Sequence, residues 1–150
     1  MSGMDDPVMR AVRDAIYAAI VEKGAAPAAA EVARAHDLEA RVVEEAYRAL
    51  AAFHVIVLQP GTLDVWSAPP FSAVPTAFHV TVGRARHDAP CAWDAFGIPA
   101  ALKRGAIIEG RCAWSGEPIP CGVERGLAYG DGVIHLLVAA AHFWDDIVYT

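Results

Sequence analysis

The sequence has little positive charge, no long apolar run and no closely spaced cysteine pair. Twelve lysines and arginines stand against 18 aspartates and glutamates, a formal net charge of −6. A negative chain argues against nucleic acid as a partner, because phosphate contacts need a positive face. No run approaches the ~20 apolar residues of a membrane span, and the N-terminus does not resemble a signal peptide. We therefore expect a cytoplasmic protein with no membrane partner.

The three cysteines do not form a recognisable metal motif. Structural zinc sites usually show cysteines separated by two to four residues and need four ligands. Eight residues separate Cys112 from Cys121, and Cys91 lies farther away. Their odd number favours reduced thiols over a disulfide framework. The sequence therefore favours three reduced thiols over a structural zinc site.

Hydrophobic residues make up 55% of the 150 residues, enough for one domain or two small ones with a substantial core. In the first part, Asp5, Asp6 and Pro7 are typical of a helix start. The expected elements are a helix from that point to Gly24, helices at 27–36 and 39–52, and a β-hairpin of 55–58 and 63–66. Three helices followed by a hairpin is the order of a winged helix.

A winged helix raises the question of DNA binding, which the local charges disfavour. Residues 1–52 contain six basic and nine acidic side chains. The third helix, which would enter the groove, carries Glu39, Glu44 and Glu45 against Arg41 and Arg48. This is a poor electrostatic match to a phosphate backbone. We expect a packing or dimerisation role for this part.

A proline-rich segment at 67–76 predicts an ordered linker and a domain boundary near residue 70. We therefore expect an N-terminal domain at 1–70 and a core domain at 71–150. Strands are predicted at 77–86, 106–112, 119–124 and 133–140, with a short central helix after the first. The predicted fold class is α+β, with a mixed sheet in the core.

The central helix contains a thiol and a carboxylate three residues apart, Cys91 and Asp94. If Asp88 caps the helix and Pro90 lies in its first turn, the two side chains share one face. The helix dipole would then favour the thiolate. The pattern is weak by itself, since Cys91 could equally pack as a small apolar residue while Asp94 offsets the dipole.

Four segments in order resemble those of alkylmercury lyases. Residues 91–100, CAWDAFGIPA, resemble the active-site segment, and 69–76 resemble the segment that joins the winged-helix-like part to the core. Residues 111–119 resemble the cysteine-containing turn, and 142–150 resemble the approach to the last catalytic segment. The resemblance implies a winged-helix-like N-terminal domain followed by an alkylmercury lyase-like core.

The resemblance also implies a reaction: cleavage of a carbon–mercury bond to a hydrocarbon and Hg(II). Soft mercury prefers thiolates, so Cys91 would bind it, and Asp94 would carry a proton from the thiol to carbon. A carboxyl beside Trp93 and Phe96 in a dry pocket should hold a proton more readily than in water. No cofactor is implied, since mercury is substrate and product. The implied partners are an organomercurial and a thiol or mercuric reductase that accepts Hg(II).

The sequence departs from the family in one respect. The family has a second catalytic cysteine late in the chain, whereas the last cysteine here is Cys121. Three interpretations stay open. The chain is truncated before that residue, or Cys112 or Cys121 serves as the second mercury ligand, or the protein is a non-catalytic module that binds or senses mercury.

Overall fold

The computed structural model describes residues 6–148, so the predictions that involve Asp5, Tyr149 and Thr150 lie outside the described residues. The fold is α+β, as predicted. In chain order the elements are α1 (Pro7–Lys23), α2 (Ala29–Ala35), α3 (Ala40–Ala52), β1 (Val57–Leu58), β2 (Val65–Ala68), β3 (Phe71–Ser72), β4 (Phe78–Val82), β5 (Ala85–Ala89), α4 (Ala92–Leu102), β6 (Ala106–Arg111), β7 (Pro118–Glu124) and β8 (Leu127–Tyr129). A short 3₁₀ turn follows at Ala140–His142.

The first helix begins and ends where its sequence predicts. The Asp6 carboxylate accepts hydrogen bonds from the backbone N–H groups of Val8 and Met9, at 2.8 and 3.2 Å. These groups would otherwise lack partners in the first turn. Gly24 ends the helix at φ 71°, a left-handed conformation that glycine adopts without steric cost. The buried side of α1 consists of Met9, Val12, Ile16 and Ile20.

The helices pack together, and a small antiparallel sheet follows them. The Tyr47 hydroxyl of α3 donates to the Pro27 carbonyl at 2.8 Å, which fixes the segment before α2. The predicted hairpin is confirmed as β1 paired with β2. β3 adds a third strand beside β2, so this sheet continues past residue 70. The winged-helix assignment and the domain boundary remain predictions.

The second sheet has five strands in the order β5-β4-β6-β7-β8. Every described pair in it is antiparallel, so the prediction of a mixed sheet is wrong. The predicted strand 77–86 in fact covers β4, the turn after it and the first two residues of β5. Hairpin connections join antiparallel strands directly, whereas parallel neighbours need long crossovers.

The predicted buried strand at 133–140 is also wrong. The position beside β7 is taken by β8, which the sequence pattern did not indicate. Residues 133–140 contain no strand, and Val133 is 91% exposed. An apolar run predicts burial only where a neighbouring element covers it.

Helix α4 lies across the second sheet and contacts β3, β4, β5, β6 and β7. Its buried residues Ala95 and Ile98 are fully inaccessible and belong to the same apolar cluster as Val80 and Ile108 of the sheet. This packing fixes the start of α4, where the candidate site lies. Among the described helices, none is both long and apolar enough to cross a membrane.

Candidate active site at the start of α4

The thiol and the carboxylate that the sequence singles out are in contact. The Cys91 sulfur lies 3.2 Å from Oδ2 of Asp94, a distance at which the thiol donates to the carboxylate. The backbone N–H of Asp94 donates to the same sulfur at 3.4 Å. Cys91 is therefore the N-cap of α4, with sulfur in the place that an oxygen usually takes.

The prediction that Asp88 caps this helix is wrong. Strand β5 extends to Ala89, and within it Asp88 lies opposite His79 of β4. The Asp88 carboxylate pairs with Nδ1 of that histidine. Because β5 holds Asp88 in the sheet, the helix starts after Pro90, and the capping position falls on Cys91.

Burial governs the protonation of both groups. Burial raises the pKa of the Cys91 thiol, and the hydrogen bond from the Asp94 N–H offsets only part of that effect. The expectation of a thiolate favoured by the helix dipole is therefore wrong in its net direction. Burial also raises the pKa of Asp94, which its bond to Cys91 partly opposes. This direction agrees with a carboxyl that holds a proton more readily than in water.

The wall beside the pair is built from the first half of the chain. Gly97 lies one turn after Asp94, and a Cβ added there would be 2.8 Å from Cβ of Pro70. The Tyr17 hydroxyl of α1 lies 3.0 Å from the Pro69 carbonyl. Burial raises the pKa of Tyr17, nearby Arg13 lowers it, and the charge of Asp94 raises it further. The pair thus lies where α1, the segment at 69–71 and α4 meet.

A cavity lies beside α4 and the second sheet. It measures about 570 Å³, and Cys91 and Asp94 are not among its lining residues. Trp93 and Phe96 line it from the helix, and Cys121 lines it from the sheet. Trp93 is 63% exposed. Trp93 and Phe96 thus line a cavity whose lining does not include Asp94.

The other two cysteines make their contacts within their own hairpin. Cys121 lies opposite Ile108 in the β6–β7 pair, and its thiol approaches the Ile108 carbonyl at 3.7 Å. Cys112 lies where β6 turns towards β7, and hydrogen bonds from Ser115 lower the pKa of its thiol. All three cysteines are free thiols. Within residues 6–148, no group of three or more His, Cys, Asp or Glu side chains is placed to hold a metal ion.

The described contacts of His142 and Trp144, near the C-terminus, do not involve Cys91 or Asp94. His142 pairs with Asp145 at 2.8 Å, and both side chains are exposed. Trp144 stacks on His54 with ring centroids 4.1 Å apart.

Sequence reasoning missed Tyr17 and Pro70 as neighbours of the site. The one signal for them was Gly97, a glycine inside a helix, which often marks a close approach of another segment.

Comparisons with known proteins bear on the family and the fold of this chain. The sequence model of the alkylmercury lyase family, MerB, matches residues 71–149, just over half of the chain. The crystal structure of the mercury-bound form of MerB2 matches the fold with a TM-score of 0.64 and 22% sequence identity. The match covers 84% of this chain but only 60% of the MerB2 chain, less than two thirds of its length. No curated protein matches this chain.

Proposed function

Because this chain belongs to the alkylmercury lyase family, we propose that it cleaves the carbon–mercury bond of organomercurials with Cys91 and Asp94. The observation that carries the proposal is the 3.2 Å contact between the Cys91 sulfur and the Asp94 carboxylate. Carbon–mercury protonolysis needs a soft ligand for the metal and a proton for the departing carbon. A thiol that donates directly to a carboxylate supplies both from adjacent side chains.

The first step is capture of the organomercurial cation by Cys91. The thiol has a raised pKa, so it binds mercury only when its proton leaves. The Asp94 carboxylate accepts that proton across the existing hydrogen bond, and its raised pKa makes it a better base. The sulfur–mercury bond forms as the original ligand of mercury departs. Asp94 then holds the proton beside the bound organic group.

The second step is protonation of carbon. The proton moves from Asp94 to the carbon attached to mercury, and the electron pair of the carbon–mercury bond forms the new carbon–hydrogen bond. The products are a hydrocarbon and Hg(II) bound to Cys91, with Asp94 ionised again. Half-burial of the pair favours this transfer, because excluded water neither takes the proton nor stabilises the carboxylate.

A second thiolate would weaken the carbon–mercury bond by adding electron density to mercury. Cys112 and Cys121 remain candidates from the sequence, but their contacts lie in the β6–β7 hairpin. We therefore propose that a small-molecule thiol supplies this ligand and then accepts Hg(II), directly or on the way to a mercuric reductase. Benzene release should then rise with added thiol. Cys112→Ser and Cys121→Ser should retain release, and loss with either variant would assign the second ligand to that cysteine.

The direct test is incubation of the protein with phenylmercury and measurement of benzene. Wild-type protein should release one benzene per phenylmercury consumed, and Cys91→Ser should release none and lose mercury affinity. Release from Cys91→Ser at the wild-type rate would refute the assignment of Cys91.

A second candidate function is mercury binding or sensing without turnover, which needs the Cys91 thiol but no second protein thiolate beside it. Within residues 6–148 no set of three ligand side chains surrounds Cys91. In that case the protein would bind one Hg(II) or phenylmercury per chain through Cys91 and release no benzene at any thiol concentration. The same benzene assay therefore separates the two functions.

A further inference from the structure

The Tyr17 side chain of α1 contacts the segment that packs against the candidate site. The Tyr17 hydroxyl lies 3.0 Å from the Pro69 carbonyl and 3.3 Å from the Val55 carbonyl. Its ring meets that of Phe71 edge to face, with centroids 6.5 Å apart. Tyr17 thus contacts the residues on both sides of Pro70.

The segment that Tyr17 holds is packed against α4 without spare room. Phe71 is only 2% exposed, and its ring meets the His87 ring of β5 at a centroid distance of 5.6 Å. Pro70 fills the space where a Cβ of residue 97 would stand, 2.8 Å away. Residues three apart on a helix are neighbours on its surface. Asp94 is therefore the neighbour, one turn earlier on α4, of the position that Pro70 contacts, and Asp94 in turn contacts Cys91.

We propose that Tyr17 is a positioning residue: its hydroxyl fixes the segment at 69–71, and Pro70 then holds the first turns of α4 so that Cys91 and Asp94 stay in contact. The inference rests on the proposed function, since it names what keeps the lyase pair in place. It also gives the N-terminal helices a role in the reaction, because α1 supplies the hydroxyl. Tyr17 touches neither mercury nor carbon in this scheme.

The chain offers a matched control for the loss of such a hydroxyl. Tyr47 also lies on an N-terminal helix, and its hydroxyl also donates to a proline carbonyl, that of Pro27 at 2.8 Å. Tyr47→Phe and Tyr17→Phe remove the same kind of bond, so both should lower the melting temperature by a few degrees. Only Tyr17→Phe should affect α4.

The experiment combines amide hydrogen exchange with turnover, well below the melting temperature of each variant. In Tyr17→Phe, peptides covering α4 (Ala92–Leu102) should exchange faster than in wild type, and kcat for phenylmercury should fall by about 10- to 100-fold. The loss in kcat should exceed any rise in KM. Tyr47→Phe should leave α4 exchange and kcat at wild-type values.

A second variant changes the contact between Pro70 and α4 from the helix side. Gly97→Ala should raise exchange in α4 and lower kcat as Tyr17→Phe does, because its methyl group displaces Pro70. Alanine favours helix over glycine, so helix propensity cannot explain the loss. The double variant should be no worse than the poorer single variant, since both changes break one connection.

Two results would overturn the inference. One is α4 exchange in Tyr17→Phe at the wild-type rate, and the other is an equal increase in Tyr47→Phe. The exchange measurement needs no turnover. If wild type releases no benzene, the proposed function fails, while exchange still decides whether Tyr17 positions α4.

Discussion

The backbone N–H of Asp94 donates to the Cys91 sulfur while the Cys91 thiol donates to the Asp94 carboxylate, at 3.4 and 3.2 Å. The two residues thus form a reciprocal pair that closes the first turn of α4. An ordinary cap would use an oxygen, which is a hard ligand that soft mercury does not prefer. Here the capping group is itself the soft ligand, so formation of the helix places thiol and proton carrier together.

Asp94→Asn should separate mercury binding from protonolysis. The amide can still accept a hydrogen bond from the thiol, but it cannot carry a proton to carbon. We expect stoichiometric phenylmercury binding through Cys91 with benzene release lowered by about 10²- to 10⁴-fold. Gas chromatography of benzene and mass spectrometry of the mercury adduct measure the two steps.

The control for this substitution is Asp88→Asn. Asp88 lies close in sequence and is also partly buried, but it pairs with His79 in the sheet. Its loss should leave benzene release within about twofold of wild type. An equal loss of release in both variants would mean that general disturbance of β5 and α4 explains the effect of Asp94→Asn.

Asp94→Asn should also stabilise the fold at neutral pH. Burial raises the pKa of Asp94 above its ordinary 3.8, so the folded state holds this proton more tightly than the unfolded chain. Stability from the protonated carboxyl is complete below 3.8 and is lost as pH rises through the folded pKa. Asparagine carries no charge at any pH. Asp94→Asn should therefore melt higher than wild type at pH 7, and the gap should close near pH 3.5.

Thermal unfolding at both pH values tests this, because other carboxylates titrate alike in the two proteins. A wild type more stable than Asp94→Asn at pH 7 would show that the ionised carboxylate stabilises the fold. The expected gain in stability with loss of activity is the usual trade at a buried catalytic group.

The three thiols should react with iodoacetamide in a definite order. Hydrogen bonds from Ser115 and Trp114 lower the pKa of Cys112 below its ordinary 9.0, whereas burial raises the pKa of Cys91 and Cys121. Alkylation requires the thiolate. Peptide mass spectrometry over a time course at pH 8 should show Cys112 modified first. Ser115→Ala should slow Cys112 and leave Cys91 unchanged, and faster labelling of Cys91 than of Cys112 would contradict the assignment.

Sequence patterns predicted the elements whose signals are local. Asp6, Pro7 and Gly24 fix the ends of α1 by hydrogen bonding and backbone conformation alone. The contact between Cys91 and Asp94 also follows from helix spacing. These features depend on residues within one or two turns, so one chain suffices to predict them.

The errors concern properties that depend on distant residues. Because β5 pairs with β4 as far as Ala89, the N-cap of α4 is Cys91 and not the predicted Asp88. The sign of the pKa shift at Cys91 depends on burial by other segments. The role of Pro70 beside Gly97 requires a contact across 27 positions in the sequence. None of these leaves a periodic signal.

The packing of α4 on the sheet should account for much of the stability of the core. Ile98 is fully buried, so Ile98→Ala removes apolar contacts and leaves a cavity, at a cost of about 2–5 kcal/mol. Ile107 offers the matched control, since it lies on the adjacent β6 but is 61% exposed. Ile107→Ala should cost under about 1 kcal/mol. Urea unfolding measures both free energies, and equal costs would show that α4 is not packed on the sheet as described. Ile98→Ala should also lower benzene release at temperatures where the protein is still folded, because the helix that carries Cys91 and Asp94 loses its main anchor.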